Sequence, residues 1–123
     1  MNAKDFRRIA LGLDGAIESA HMGHPDFRIN GRIFATLHAD MLTGMVKLTP
    51  DAQQRFVREH ADAFSLESGA WGRDGCTRVR LDAVDEELLG DALTVAWQQM
   101  VKMPAVKKSA ASPARRARAT RKR

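Results

Sequence analysis

Apolar residues near the start of the chain recur with the period of an amphipathic helix. They stand at i, i+3, i+4 and i+7, and charged residues occupy the opposite face. The apolar positions are Phe6, Ile9, Ala10 and Leu13. This spacing predicts a helix over residues 4–13 that ends among the glycines at positions 12 to 15.

Residues 16–49 are rich in strand-forming residues, and short turn signals such as "ING" divide them into runs. The runs "AIESAHMG", "HPDFRING", "RIFATLHAD" and "GMVKLT" predict four strands of an antiparallel meander, because the connections between them are short. In the third run, alternation predicts two faces: Ile33, Ala35 and Leu37 against Phe34, Thr36 and His38.

Two further helices are predicted after the meander. In "LTPDAQQRF", Thr49 is a suitable N-cap, Pro50 suits the first turn and Asp51 suits the positive end of the helix dipole, so a helix is expected to about His60. The last helix begins at the acidic residues 85–87 and ends before Pro104. Its apolar stripe comprises positions 84, 88, 89, 92, 93, 96, 97 and 100.

The segment between these two helices is interpreted as a β-hairpin. Its strands are "FSLESGAWG" and "CTRVRLD", and "GRDG" forms the turn. Alternation places Val79 and Leu81 in the core together with Trp71, and it places Arg78 and Arg80 on one solvent-facing side.

Positive charge is concentrated at the C-terminal end of the chain. The whole chain carries a net charge of +5, but residues 102–123 hold nine Lys or Arg and no acid, so residues 1–101 carry −4. Residues 104–123, called the tail below, consist mostly of Ala, Ser, Pro, Lys and Arg and offer too little apolar surface to offset the entropy of ordering. The sequence therefore predicts an α+β domain over residues 1–103 and a disordered tail over residues 104–123.

Composition argues against several classes of protein. A single cysteine excludes an intramolecular disulfide and indicates a reducing compartment. Charges interrupt the first twenty residues and no apolar run is long enough to span a membrane, so a cytoplasmic protein is expected. No P-loop, dinucleotide fingerprint or nucleophile elbow is present, and we expect neither an enzyme nor a cofactor.

Four strings in this order resemble the YjbR/MmcQ-like family of small bacterial proteins: "GHPDFRINGRIFATLH", "VKLTPDAQ", "GAWGRDGCTRVRLDAVDEELL" and the closing helix with Trp97. The resemblance covers about residues 3–100. It implies a two-layer α+β fold, with about three helices on an antiparallel sheet, related to frataxin-like or double-wing proteins. It also implies DNA binding, which is how members are commonly described. Cys76 departs from the family, which often has a bulkier residue after "WGRxG".

The tail is the clearest candidate for nucleic-acid binding. Flexible cations neutralise phosphates and release counterions, and nine engaged cations would give a slope of log K against log salt of about −8 at most. The alternatives are a solubilising or localisation element and, less favoured because no apolar anchor lies beside it, an anionic membrane surface. The candidate residues are Lys107, Lys108, Arg115, Arg116, Arg118, Arg121, Lys122 and Arg123.

Five arginines of the domain are candidate phosphate contacts of a double-wing surface: Arg28, Arg32, Arg73, Arg78 and Arg80. The net charge of −4 over residues 1–101 repels duplex DNA, so a binding face in the domain has to be locally concentrated. The alternative is that these arginines belong to an ordinary solvated face.

The remaining candidate residues carry weaker signals. His21 and His24 are expected on opposite faces, and with His38 and His60 they lack the spacing of a metal site. Nearby arginines could lower the pKa of the Cys76 thiol, but a lone cysteine in a strand is more often a small apolar residue. Trp71 and Trp97 could stack on bases and are more often core residues.

These observations favour a non-enzymatic, largely sequence-independent DNA-binding protein. The alternative is a protein-interaction or regulatory adaptor.

Overall fold

The computed structural model describes residues 1–103, which form an antiparallel sheet with helices packed against it. The predicted tail lies outside the described residues, and so does Pro104. The helices are α1 (Ala3–Leu11), α2 (Pro50–Glu59), α3 (Gly69–Arg73) and α4 (Glu86–Val101). The strands are β1 (Ile17–His21), β2 (His24–Ile29), β3 (Arg32–Leu37), β4 (Thr43–Lys47), β5 (Phe64–Leu66) and β6 (Cys76–Arg80).

The six strands stand in the order β1-β2-β3-β4-β6-β5, and each neighbouring pair is antiparallel. The predicted meander is confirmed as β1 to β4. Its first two connections are two-residue turns with positive φ at both positions, +51° and +80° at Met22 and Gly23, and +57° and +76° at Asn30 and Gly31. Such turns match the twist of the strands that they join.

The helices α1, α2 and α4 pack on one face of the sheet. The ring of Phe6 in α1 lies 5.7 Å from that of Phe27, and the ring of Phe56 in α2 lies 5.1 Å from that of Phe64. The predicted stripe of α4 supplies five buried residues to the same core: Leu89, Ala92, Leu93, Ala96 and Met100. The fold is therefore a two-layer α+β domain, as predicted.

Strand β3 does not alternate as the sequence predicts. Phe34 and Thr36 are buried along with Ala35 and Leu37. The pairing of β3 with β2 shifts register so that Phe34 is passed over, and its side chain joins the hydrophobic core. An irregularity of this kind locally breaks the two-residue period on which the prediction rests.

The predicted hairpin of residues 64–82 is correct in its pairing and wrong in its connection. Strand β5 ends at Leu66, and the string "GAWGR" forms the short helix α3 instead of extending the strand. Gly72 makes this possible because a Cβ at this position would lie 1.9 Å from the carbonyl oxygen of Glu67. The buried amide of Gln53 then donates to the carbonyl oxygens of Gly72 and Cys76, at 2.9 and 3.2 Å.

Helix α1 begins one residue before the predicted span of residues 4–13 and ends two residues before the end of that span, at Leu11. Asn2 caps its start in a capping box with Asp5. Among the described residues, no helix has the length and apolar character needed to cross a bilayer.

Candidate functional site

The sheet face opposite the helices carries a groove of about 340 Å³. One wall is the end of the β1–β2 hairpin, the other is α3 with the residues before it, and the floor comes from strands β3, β4 and β6. The lining residues are His21, Met22, His24, Thr36, His38, Met45, Glu67, Ser68, Trp71 and Cys76. Three of the four histidines therefore share one site, which sequence reasoning did not predict.

The hairpin wall is held by a buried carboxylate. Asp26 is fully buried, and it accepts hydrogen bonds from Nε and Nη2 of Arg28 at 2.7 and 3.0 Å. Nδ1 of His21 lies 2.7 Å from Oδ2 of Asp26, the same oxygen that accepts from Nη2 of Arg28. Burial alone would raise the pKa of Asp26, but the bonds from Arg28 and His21 outweigh it and lower the pKa below its usual value. Asp26 thus fixes the ring of His21 at the groove and was missed by sequence reasoning.

The opposite wall is held by Glu67. Its Oε2 lies 2.8 Å from Nε2 of His38, and its Oε1 accepts from Nη2 of Arg78 at 3.2 Å. Nδ1 of His38 lies 2.7 Å from the hydroxyl of Thr43, which bonds onward to Asp40. With both ring nitrogens engaged, His38 is held in one orientation on the groove floor.

His21 and His24 face the same groove, so their predicted placement on opposite faces is wrong. They are paired across the turn at Met22 and Gly23, and their ring centroids lie 6.1 Å apart. Nδ1 of His24 is shielded from solvent and has no hydrogen-bond partner among residues 1–103. No group of three or more His, Cys, Asp or Glu residues within that range is arranged to hold a metal ion.

Trp71 is an exposed side chain at the rim of the groove, and its predicted place in the core is wrong. It is 73% exposed, because α3 turns its side chain out from the sheet, and Met22 on the opposite wall is 90% exposed. Trp97 in contrast packs against the core, and its indole N–H donates to the carbonyl oxygen of Asp14 at 2.9 Å.

Cys76 is buried on the groove floor, as the simpler sequence interpretation expects. Burial is the main cause that raises the pKa of its thiol, against the lowering effect of Lys47. Nearby arginines therefore do not activate it.

We expect the Cys76 thiol to react with an aromatic disulfide reagent at pH 7.5 at least about tenfold more slowly in the native protein than in urea, because the thiolate is the reactive form and is disfavoured by burial. The absorbance of the released thiolate measures both rates, and free cysteine serves as the reference. Equal rates in native and unfolded protein would contradict this assignment.

The five predicted domain arginines fall into two groups. Arg73, Arg78 and Arg80 lie on or beside β6 with exposed side chains, as predicted, but Arg78 bonds to Glu67, and Arg80 bonds to Asp82 at 3.2 Å. Because carboxylates neutralise two of the three, this surface keeps little net positive charge for a phosphate contact.

The second group, Arg28 and Arg32, lies near Met103, the last residue that the structure describes. Arg28 and Arg32 line another cavity, of about 470 Å³, together with Lys47 and Met103. Lys47 was not predicted, and its ammonium group donates to the carbonyl oxygen of Asp74 at 2.8 Å. The eight predicted tail residues lie outside the described residues, and their role stays a prediction.

Comparisons with known proteins agree with this architecture. A family model described as YjbR matches residues 11–99. The crystal structure of Deinococcus radiodurans protein DR2400, with the family-model domain DUF419, superposes with a TM-score of 0.69 at 21% identity, covering 86% of this chain and 82% of that chain. No curated protein gives a significant match.

The fold and the matched span define a small α+β domain with an open sheet face. The chain belongs to the YjbR family. That family is not typically enzymatic.

Proposed function

We propose that this protein binds DNA, largely without sequence preference, through its tail. The observation that carries the proposal is the separation of charge along the chain. Residues 104–123 hold eight Lys or Arg and no acid, whereas residues 1–103 hold 12 basic and 15 acidic residues. A cationic segment gains affinity by releasing counterions from the duplex, and this gain needs no base contacts.

The charge distribution of the domain supports a secondary role for its own cations. Three of the five candidate arginines bond to carboxylates: Arg28 to Asp26, Arg78 to Glu67 and Arg80 to Asp82. Each pair loses much of the field that would attract a phosphate. Arg32 and Lys47 lie near Met103, so the domain surface closest to the start of the tail is cationic. We therefore assign most of the affinity to the tail.

Replacing all eight Lys and Arg of the tail with Gln is expected to weaken binding to a 30-base-pair duplex at low salt by at least about tenfold, because the counterion release is lost. Fluorescence anisotropy of a labelled duplex measures the affinity. Arg55→Gln combined with Arg58→Gln is the control, since it removes two exposed cations from α2 and is expected to change affinity less than threefold. An unchanged isotherm for the tail variant would refute the proposal.

A protein-interaction adaptor is the second candidate, and the exposed side chains at the groove favour it. Trp71 and Met22 expose apolar surface on both walls, and such surface is typical of interaction sites. Under this alternative the unmodified full chain shows no duplex binding at low salt, whereas the proposal expects binding under those conditions.

A further inference from the structure

We propose that the groove on the open sheet face binds a nucleobase, with the flat ring stacked on Trp71. The inference goes beyond tail-mediated DNA binding, because a free nucleotide and an unpaired base in a strand present the same ring. The groove lies entirely within residues 1–103 and needs no charge from the tail.

Trp71 has the properties of a stacking platform. An indole that is 73% exposed gives up most of the stabilisation that burial of a tryptophan provides. Helix α3, which carries Trp71, is held in place by two contacts. Gly72 packs against the carbonyl of Glu67, and the buried amide of Gln53 donates to the carbonyl oxygen of Gly72. The indole is thus presented at the groove by a well-packed segment. Stacking of bases on aromatic side chains is strong and tolerates any base.

One carboxylate oxygen in the groove has unused hydrogen-bonding capacity. Glu67 accepts from Arg78 on Oε1 and contacts His38 on Oε2, which leaves Oε2 with a further lone pair. An exocyclic amino group on a heterocycle would donate to this oxygen. We therefore expect an amino-bearing base such as adenine.

The size and lining of the groove also fit this class of ligand. Its volume of about 340 Å³ is at the small end of ligand sites, which suits one base with its sugar. Met22 and Met45 add adaptable apolar contacts to the lining, next to the imidazoles.

The test uses the full chain in 0.5 M salt, where charge attraction by the tail is strongly screened. Trp97→Phe leaves Trp71 as the sole tryptophan, so its fluorescence reports directly on stacking. The probes are adenosine monophosphate, a six-residue deoxyadenosine strand and inorganic phosphate. We expect saturable quenching by the strand or by the nucleotide and none by phosphate.

Calorimetry then compares variants, because it needs no fluorescent residue. Trp71→Ala is expected to weaken binding at least about tenfold, and Trp71→Phe, which retains a stacking ring, less than about fivefold. Both variants should fold, since the side chain is exposed. Leu42→Ala is the control, because Leu42 is also an exposed apolar residue, 69% accessible, but does not line the groove.

Binding of the nucleotide alone identifies the base as sufficient, and binding of the strand only identifies an unpaired base within a strand; both support the proposal. The proposal would be overturned if neither the nucleotide nor the strand quenched the fluorescence, or if Trp71→Ala left the affinity unchanged. The tail variant separates this inference from the proposed function, because it should lose duplex binding at low salt and keep binding in the groove at 0.5 M salt.

Discussion

Replacing Gly75 with alanine is expected to lower the free energy of unfolding by about 3 kcal/mol, as measured by urea denaturation. Gly75 has φ of +106°, which side-chain-bearing residues rarely adopt, and an added Cβ would lie 1.8 Å from the carbonyl oxygen of Leu48. This contact cannot relax locally, because the carbonyl of Gly75 accepts from the backbone N–H of Leu48 at 3.0 Å. The substitution should therefore disturb the start of β6 and the floor of the groove.

Alanine substitutions at two other glycines separate the two causes of this loss, which are backbone strain at positive φ and the steric clash of the added Cβ. Gly23→Ala adds a Cβ to open space at φ of +80°, so only the backbone strain remains, and a cost of about 1 kcal/mol is expected. Gly90→Ala lies within α4 with nothing near the added Cβ, and it should stabilise by about 0.5 to 1 kcal/mol. A Gly75→Ala variant as stable as the wild type would show that the described close approach is wrong.

Asp26→Ala is expected to cost about 2 to 3 kcal/mol at pH 7. The side chain is fully buried and receives charge-assisted bonds from Arg28, so its removal leaves the guanidinium without its carboxylate. This loss of unfolding free energy is smaller than is usual when a fully buried ion pair is broken. The reason is that the Arg28 side chain is one-third exposed, so its guanidinium regains some hydration. Urea denaturation of both proteins at pH 7 measures the difference.

The contribution of Asp26 also depends on pH. Its folded-state pKa is lowered, so its stabilising effect is fully present above the unfolded-state pKa of about 3.9 and is lost as the pH falls through the folded-state value. The stability gap between wild type and Asp26→Asn should therefore narrow as the pH falls below 4. Asp82→Asn is the control, since its pair with Arg80 is exposed and worth less than about 1 kcal/mol. A gap that widens in acid would contradict the assigned shift.

The elements with strong periodicity were predictable from the sequence. The apolar stripe of α4 follows from a repeat of three to four residues, and the strands of the meander follow from a repeat of two. The start of α2 follows from its capping residues. The structure confirms each of these elements. The string "GAWGR" was misassigned because its helical turn depends on how closely Gly72 approaches the chain at Glu67. No local pattern of apolar residues encodes that approach.

The groove could not be predicted, for related reasons. His21 and His24 are three residues apart in the sequence, and within a single strand this spacing would place them on opposite faces. A two-residue turn separates them here, so they lie at paired positions of adjacent strands and share one face. Had the "HMGH" string been recognised as such a turn, their shared face would have followed. The partners of Arg78 and Asp26 depend on which side chains the fold brings within reach, and alternation predicts only exposure.

The salt dependence of duplex binding tests the central claim of the account most directly. The slope of log K against log salt is measured for the full chain and for the variant with eight Gln substitutions in the tail. Engagement of the tail predicts a slope that approaches about −7 for all eight cations, at about −0.9 per contact, and a much shallower slope for the variant. Equal slopes for the two proteins would contradict the claim that the tail provides the affinity.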